Sequence, residues 1–259
     1  MAPPMLWISA LVGSLVSATL ALTLPEYRAL RTAQNGSILE ITLHNPNSAI
    51  NLWSQDFQDG LTDIVQKLQV DNETKVVIFK SDITIGAVEG RARGAGNEFL
   101  LALDMRFATK KESQFGQIEV ATGLVPGGGG GQMLSQIIGR GLAMEYVLSG
   151  KDINARDAEK IGWINKAFDH SADMYAHINE LTSRFSLFPR GALVAAKSSI
   201  NLWARPPQDN FLRDAAAFNA RLADPVVTQL MGRALSLTNN LSLGDVELNL
   251  GRDLPLLYS

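Results

Sequence analysis

The spacing of apolar and polar positions divides the chain into a first half that mixes strands with helices and a second half that is mainly helical. Residues 37–43, SILEITL, read as a strand closed by the turn-prone His44-Asn45-Pro46-Asn47. Ser54 stands where a helix cap belongs. After it Phe57, Leu61, Ile64, Val65 and Leu68 recur at helical spacing, so one face should pack on a sheet. Residues 76–79, VVIF, are a second, wholly apolar strand. Strand, helix, strand is a βαβ unit and predicts a parallel sheet with helices outside. A third β-branched run, residues 83–88, ends at Gly90 and leads through Gly94-Ala95-Gly96 into a helix. Farther on, residues 133–138 and 141–148 read as short helices, Asn154 caps another with Ala155, Ala158 and Ile161 on one side, and residues 163–168 read as a strand. Ser171 opens an amphipathic helix with Met174, Ile178, Leu181 and Phe185. The chain then stays helical to about Thr238, with breaks at Phe188-Pro189, Pro206-Pro207 and Asp224-Pro225. The tail from Leu241 has weak patterning and should be loosely held.

Composition narrows the functional classes. With 259 residues, 46% hydrophobic and 19% charged, the chain can bury a substantial core. A net charge of −3, with no basic cluster beyond Lys110-Lys111, argues against a nucleic-acid partner. The absence of cysteine excludes disulfides, thiolate metal sites and a cysteine nucleophile. His44, His170 and His177 are scattered and no G-x-S-x-G occurs, so neither a histidine metal site nor a Ser-His triad has support. Residues 5–24 form an uncharged run whose end, Thr19-Leu20-Ala21, is small enough for cleavage. Residues 1–21 are therefore read as a signal peptide, after whose removal no stable membrane association is expected. Sequons at Asn35, Asn72 and Asn240 fit secretion but do not decide it.

Candidate chemistry is confined to residues 83–132. The start of the helix after Gly94-Ala95-Gly96 offers unpaired N–H groups and a positive partial charge, suited to an oxygen on which negative charge develops. Glu98 lies in that helix's first turn, and Glu119 follows a second short apolar element. Two carboxylates on separate elements, each beside a glycine-rich turn, can act as an acid/base pair on one water. Gly127 to Gly131 is not a phosphate-binding P-loop, because Met133 stands where G-x-x-x-x-G-K-[ST] needs lysine.

These residues resemble the enoyl-CoA hydratase/isomerase (crotonase) family, which reads G-x-A-x-G-G-G-x-E-L, then D, F-G-Q-x-E and G-x-x-P-G-x-G-G. The counterparts are Gly90 to Phe99, Asp104, Phe115-Gly116-Gln117-Ile118-Glu119 and Gly123-Leu124-Val125-Pro126-Gly127. A later stretch, LSGKDINARDAEKIGWINKAF, is similar to the family's LTGxxIxAxxAxxxGLVxxV. The resemblance implies an α/β, crotonase-like (ClpP/crotonase) spiral of ββα units, with a core over residues 22–188 and a C-terminal helical region of the trimerisation type over 189–259. It implies addition of water to a 2-enoyl-CoA thioester, with Glu119 as the main base/acid and Glu98 orienting the water and sharing the proton. The Ala95 N–H would hold the thioester oxygen. Coenzyme A would enter as part of the acyl-CoA substrate, with no separate cofactor, and Arg91 and Arg93 are candidates to meet its phosphates. A homo-oligomer, a trimer or a dimer of trimers, is expected on the same ground. The alternatives are an enoyl-CoA delta-isomerase and a non-catalytic truncated relative.

One departure from the family bears on activity. Only Lys80, Ser81 and Asp82 separate the apolar runs 76–79 and 83–88, whereas neighbouring parallel strands need a crossover of about a dozen residues. Family members carry there an F-S-x-G-x-D-like segment that supplies the first oxyanion-hole N–H. The junction at Asp82-Ile83 is accordingly expected to mark a deletion.

Overall fold

The computed structural model describes residues 22–43, 55–71, 76–77, 83–240 and 244–259. The signal-peptide reading of residues 1–21, the turn at 44–47, the Ser54 cap, the Asn72 sequon and the junction residues 80–82 all lie outside them. The chain begins with an antiparallel hairpin, β1 (Leu30–Asn35) and β2 (Ile38–Leu43), of which sequence patterning reveals only the second strand. Helix α1 (Gln55–Val70) follows, and β3 (Val76–Val77) then pairs parallel to β2, completing the expected βαβ unit. Phe57 and Ile64 of α1 are buried with Leu30, Leu39 and Ile41, as the helical spacing requires.

Among the described residues there are two further three-stranded sheets. One has the order β4 (Ile85–Val88), β6 (Met105–Thr109), β9 (Lys166–Phe168), all parallel. The other has β5 (Arg91–Arg93) parallel to β7 (Gln114–Gly116), with β8 (Ile153–Asn154) antiparallel on its far side. The first two turns of the chain each give one strand to each sheet and then a helix, and in the third a helix separates β8 from β9. Helix α2 (Ala95–Ala102) follows β4 and β5, while α3 (Gly130–Ile138) and α4 (Arg140–Ser149) come after β6 and β7. This is the expected ββα repetition, and between its layers Leu101, Phe115, Leu134 and Trp163 are fully buried.

Three expectations need correction. Strand β9 begins at Lys166 and not at Trp163. The N–H groups of Trp163 and Ile164 close on the Ala158 carbonyl of α5 (Ala155–Lys160), and the first bond to β6 comes from the Asn165 N–H to the Arg106 carbonyl, while the Asn165 side chain accepts from the Arg106 N–H. The two runs flanking Asp82-Ile83 are not neighbouring strands either. β3 belongs to the β1–β2 sheet and β4 pairs with β6, so the crossover length that neighbouring parallel strands demand does not apply between them.

The C-terminal tail is the third correction. After α6 (Ser171–Leu187), α7 (Arg190–Ala204), α8 (Gln208–Leu222) and α9 (Pro225–Leu237), the chain forms α10 (Asp245–Leu248), α11 (Leu250–Asp253) and a final 3-10 turn, Leu254–Tyr258. Leu250, Leu254 and Leu257 bury against Leu230 of α9. Spacings of four and three residues place the three leucines on one side, and that periodicity is too short to stand out in the sequence. Arg93 clamps the segment by donating to the carbonyls of Glu247 and Leu248. Because the tail is packed, Leu257→Ala should lower unfolding free energy by about 2 to 5 kcal/mol in urea titration. A frayed tail would give no measurable change.

Candidate active site

The site is built on the turn between β5 and α2. Parallel pairing of β5 with β7 brings Gly94 N–H to the Gly116 carbonyl at 3.0 Å, which fixes where α2 starts relative to the end of β7. Gly94 adopts φ +53°, and a Cβ there would stand 3.2 Å from Glu119 Oε1. The positive φ favours glycine here, and a side chain would also crowd Glu119 by a few tenths of an ångström. The positive φ falls on Gly94 and not on Ala95, so alanine is accommodated where the family pattern has glycine. Ala95 is the first residue of α2, so its N–H precedes the helix's own hydrogen bonds.

Glu98 lies on the first turn of α2, and its Oε1 accepts from the N–H groups of Gly128 and Gly130 at 2.9 and 2.8 Å. Close approach of that backbone depends on the glycines. A Cβ on Gly128 would fall 2.8 Å from Glu98 Oε2, and one on Gly130 would fall 2.7 Å from the Gln117 amide. Burial pushes the Glu98 carboxyl above its usual range, the two N–H groups oppose that shift, and Asp214 on α8 adds to it.

Glu119 opens the 3-10 turn Glu119–Thr122. Gln117 Nε2 donates to its Oε1 at 2.9 Å, while its Oε2 is buried without a hydrogen-bond partner among the described residues. Burial is the main cause that pushes this carboxyl up to about 7; the N–H groups of Glu119 itself and of Ile118, with the Gln117 amide, oppose that shift, and the nearby Glu98 charge adds to it. One carboxyl is thus held by two backbone donors, and its neighbour keeps one oxygen unpartnered and titrates near neutrality. Such a pair can take a proton from a water and return it.

Residues 80–224 match the model of the enoyl-CoA hydratase/isomerase family, which is more than half of the chain. The chain belongs to the enoyl-CoA hydratase/isomerase family. The solved structure of a Streptomyces avermitilis protein classed among the enoyl-CoA hydratases is similar at a TM-score of 0.82 and 31% identity, covering 90% of this chain and 98% of that one. The short-chain-enoyl-CoA hydratase of Clostridium acetobutylicum is 34% identical over 117 residues, 45% of this chain and 44% of the relative. The mouse protein called enoyl-CoA hydratase domain-containing protein 2, mitochondrial, is 28% identical over 177 aligned positions, which take up 52% of this chain and 59% of the relative. An alignment of that length with so small a share of this chain leaves part of the relative's stretch without a counterpart here. The chain spans about half the length of these curated relatives.

Other expected residues divide between the site and the scaffold. Asp104, part of the family pattern, is structural: its Oδ2 accepts from the Thr84 N–H and hydroxyl and from Lys197 Nζ, tying β4 to α7. Arg93, a candidate for coenzyme A phosphates, is engaged elsewhere. It is buried against Asp152 at 2.6 Å and also bonds Gln114 and the tail carbonyls, leaving no free face for a phosphate. Arg91 is exposed and uses Nε on the Leu248 carbonyl. Gln117, Asn97 and Asp214 are polar residues at the site that the sequence does not single out. Gln117 sits inside a quoted motif, but nothing in its type or spacing shows that it touches a carboxyl. Among the described residues no cluster of three or more metal-ligating side chains occurs, and no helix is long and apolar enough to cross a membrane.

The raised Glu119 carboxyl makes stability depend on pH. Between the unfolded value near 4.5 and about 7 the folded state binds the extra proton, so stability is highest below this window and falls as pH rises through it. The loss should be about 2 to 3 kcal/mol across pH 4.5 to 8. Denaturant titrations of wild type and Glu119→Gln at several pH values should show the loss reduced in the variant. Parallel pH curves would place the carboxyl in a different environment.

Proposed function

We propose that the chain adds water across the double bond of a 2-enoyl-CoA thioester. The observation that carries this reading is the pairing of Glu98, held by two backbone N–H groups, with Glu119, whose Oε2 has no hydrogen-bond partner among the described residues and which titrates near neutrality. In this reaction the water oxygen bonds to C3 and one water proton passes through the carboxyl pair to C2. Glu119 Oε2 receives that proton first, while Glu98 orients the water and shares the proton. The Ala95 N–H takes the thioester oxygen, where negative charge develops as the bond to C3 forms. Coenzyme A enters with the substrate, and exposed Arg91 is the remaining candidate to meet its phosphates.

The sequence lacks the segment that supplies the other oxyanion donor in the family. Loss of one such donor typically costs about 10²- to 10³-fold in rate, so a slow hydratase is the expectation. The same absence favours a non-catalytic scaffold as the second reading. Delta-isomerisation is the third, and retention of both carboxylates favours hydration over it. Ile200, Leu202 and Trp203 of α7 are exposed, Trp203 to 90%, which supports assembly into a homo-oligomer that covers them.

Incubation with crotonyl-CoA should remove the enoyl-thioester absorbance. Glu119→Gln and Glu98→Gln should each reduce kcat by at least about 10²-fold with little change in KM. Activity unchanged in both variants would remove the hydratase assignment, and an inactive wild type of normal stability would favour the scaffold. In sedimentation at micromolar concentration the protein should run at the mass of three chains or a multiple of it. A monomer would contradict the oligomer reading.

A further inference from the structure

Three hydrogen bonds in sequence cross the core and end on Glu119. Trp163 Nε1 donates to Asn97 Oδ1 at 3.0 Å, Asn97 Nδ2 donates to Gln117 Oε1 at 2.7 Å, and Gln117 Nε2 donates to Glu119 Oε1 at 2.9 Å. Trp163, Asn97 and Gln117 are all 0% exposed, so bulk water does not compete for these groups. The direction of the chain follows from its first member. An indole N–H can only donate, so Asn97 must turn its carbonyl oxygen to Trp163 and its NH2 to Gln117. Gln117 in turn must accept from Asn97 and present its own NH2 to Glu119. Reversing either amide would set N–H against N–H, or leave a buried polar group unpaired at a cost of about 1 to 3 kcal/mol.

We propose that Trp163 and Asn97 are positioning residues for the Glu119 carboxyl: they hold Gln117 with its N–H toward Oε1 and so reserve Oε2 for the reacting water. The water belongs to the hydratase reading above, whereas the orientation of Gln117 does not depend on it. Each member has independent support. Asn97 is fixed on α2 and Gln117 follows β7. Trp163 stands in the turn whose carbonyl accepts from buried Arg106 Nε at 2.8 Å, and its ring meets Tyr146 edge-on at 5.4 Å. The family pattern quoted above has leucine at the Trp163 position, and leucine has no donor, so the donor that sets the chain's direction is a departure from that pattern.

Among the described residues Gln117 is the side chain that donates to Glu119, beside the backbone N–H groups of Glu119 and Ile118, and α4, which packs on the same turn, carries only the exposed charges Arg140 and Glu145. The charged neighbour is Glu98 from α2, with Asp214 of α8 behind it. Arg221 of α8 is held by the Gly123 carbonyl and by Asp224. From α9 the residues Val227 and Leu230 face Gly123, and the Tyr258 hydroxyl donates to the Ala121 carbonyl, so neither element brings a charge to the carboxyl.

Asn97→Asp tests the direction without changing shape. Both oxygens of the introduced carboxylate accept, so Gln117 must turn over to donate to one of them, and its carbonyl oxygen then faces Glu119. That contact is favourable only while Glu119 carries a proton. In a ¹³C-carboxyl NMR titration, with Glu119→Gln identifying the resonance, the proton affinity of Glu119 should rise at least tenfold. The acidic limb of the kcat profile with crotonyl-CoA should move the same way, with KM nearly constant. Because the charge introduced in Asn97→Asp also raises the proton affinity of Glu119 directly, Trp163→Phe decides the case: it removes the donor, together with one ring, without adding a charge, and should produce a smaller shift of the same sign. A titration unmoved in folded Trp163→Phe overturns the proposal. If the titration moves as stated but wild type does not hydrate crotonyl-CoA, the positioning stands and the hydratase reading falls.

Discussion

The constraint on which the rest of the site depends is the burial of the Glu119 carboxyl with a single side-chain donor. A carboxylate removed from water is costly unless its oxygens are satisfied, and among the described residues Oε1 has Gln117 while Oε2 has no hydrogen-bond partner, the nearby N–H groups of Glu119 and Ile118 offsetting only part of the cost. The group responds by titrating near neutrality, which is the condition a proton-transferring residue needs. The surrounding sequence serves this arrangement. Gly94 makes room beside Oε1, the β5–β7 register fixes Gly94 against Gly116, and the tail's Tyr258 hydroxyl secures the Glu119–Thr122 turn at Ala121.

The glycine run from Gly127 has a related physical basis. Its backbone passes between the site and α8, with Gly127 against Phe218, Gly128 against Glu98, Gly129 against Phe211 and Gly130 against the Gln117 amide. A side chain at Gly128 or Gly130 would collide with a polar group of the site. The N–H groups that Glu98 accepts come from that same stretch, so the loop supplies donors because it has no side chains. Helix α8 buries no residue of its own, yet it closes the outer side of the loop through its two phenylalanines.

Much of this is legible in the sequence. The βαβ start, the α1 face, the Asn154 cap and the helix breaks at Pro189, Pro207 and Pro225 follow from periodicity and from proline and cap chemistry, which act over a few residues. Strands β5 and β7 are three residues each, too short for a period-two pattern to register, so a second sheet is invisible there. Trp163 reads as a strand residue because it is apolar and next to isoleucine, whereas its N–H closes on Ala158 and its indole reaches Asn97, 66 positions away in sequence. The tail's packing and the engagement of Arg93 with Asp152 likewise rest on contacts between distant residues. Glu98 and Glu119 stand out through motif resemblance. Their charge and spacing alone do not separate them from the other acidic residues of the chain.

Isotope placement in the product is the most direct test of one water handled by two carboxyls. Crotonyl-CoA incubated with the protein in heavy water enriched in ¹⁸O should give a 3-hydroxyacyl thioester with ¹⁸O at C3 and one deuterium at C2. That labelling should disappear in Glu119→Gln. Deuterium appearing at C4 without ¹⁸O would show proton shuttling along the acyl chain instead of hydration, and would contradict the assignment of Glu98 and Glu119 to a shared water.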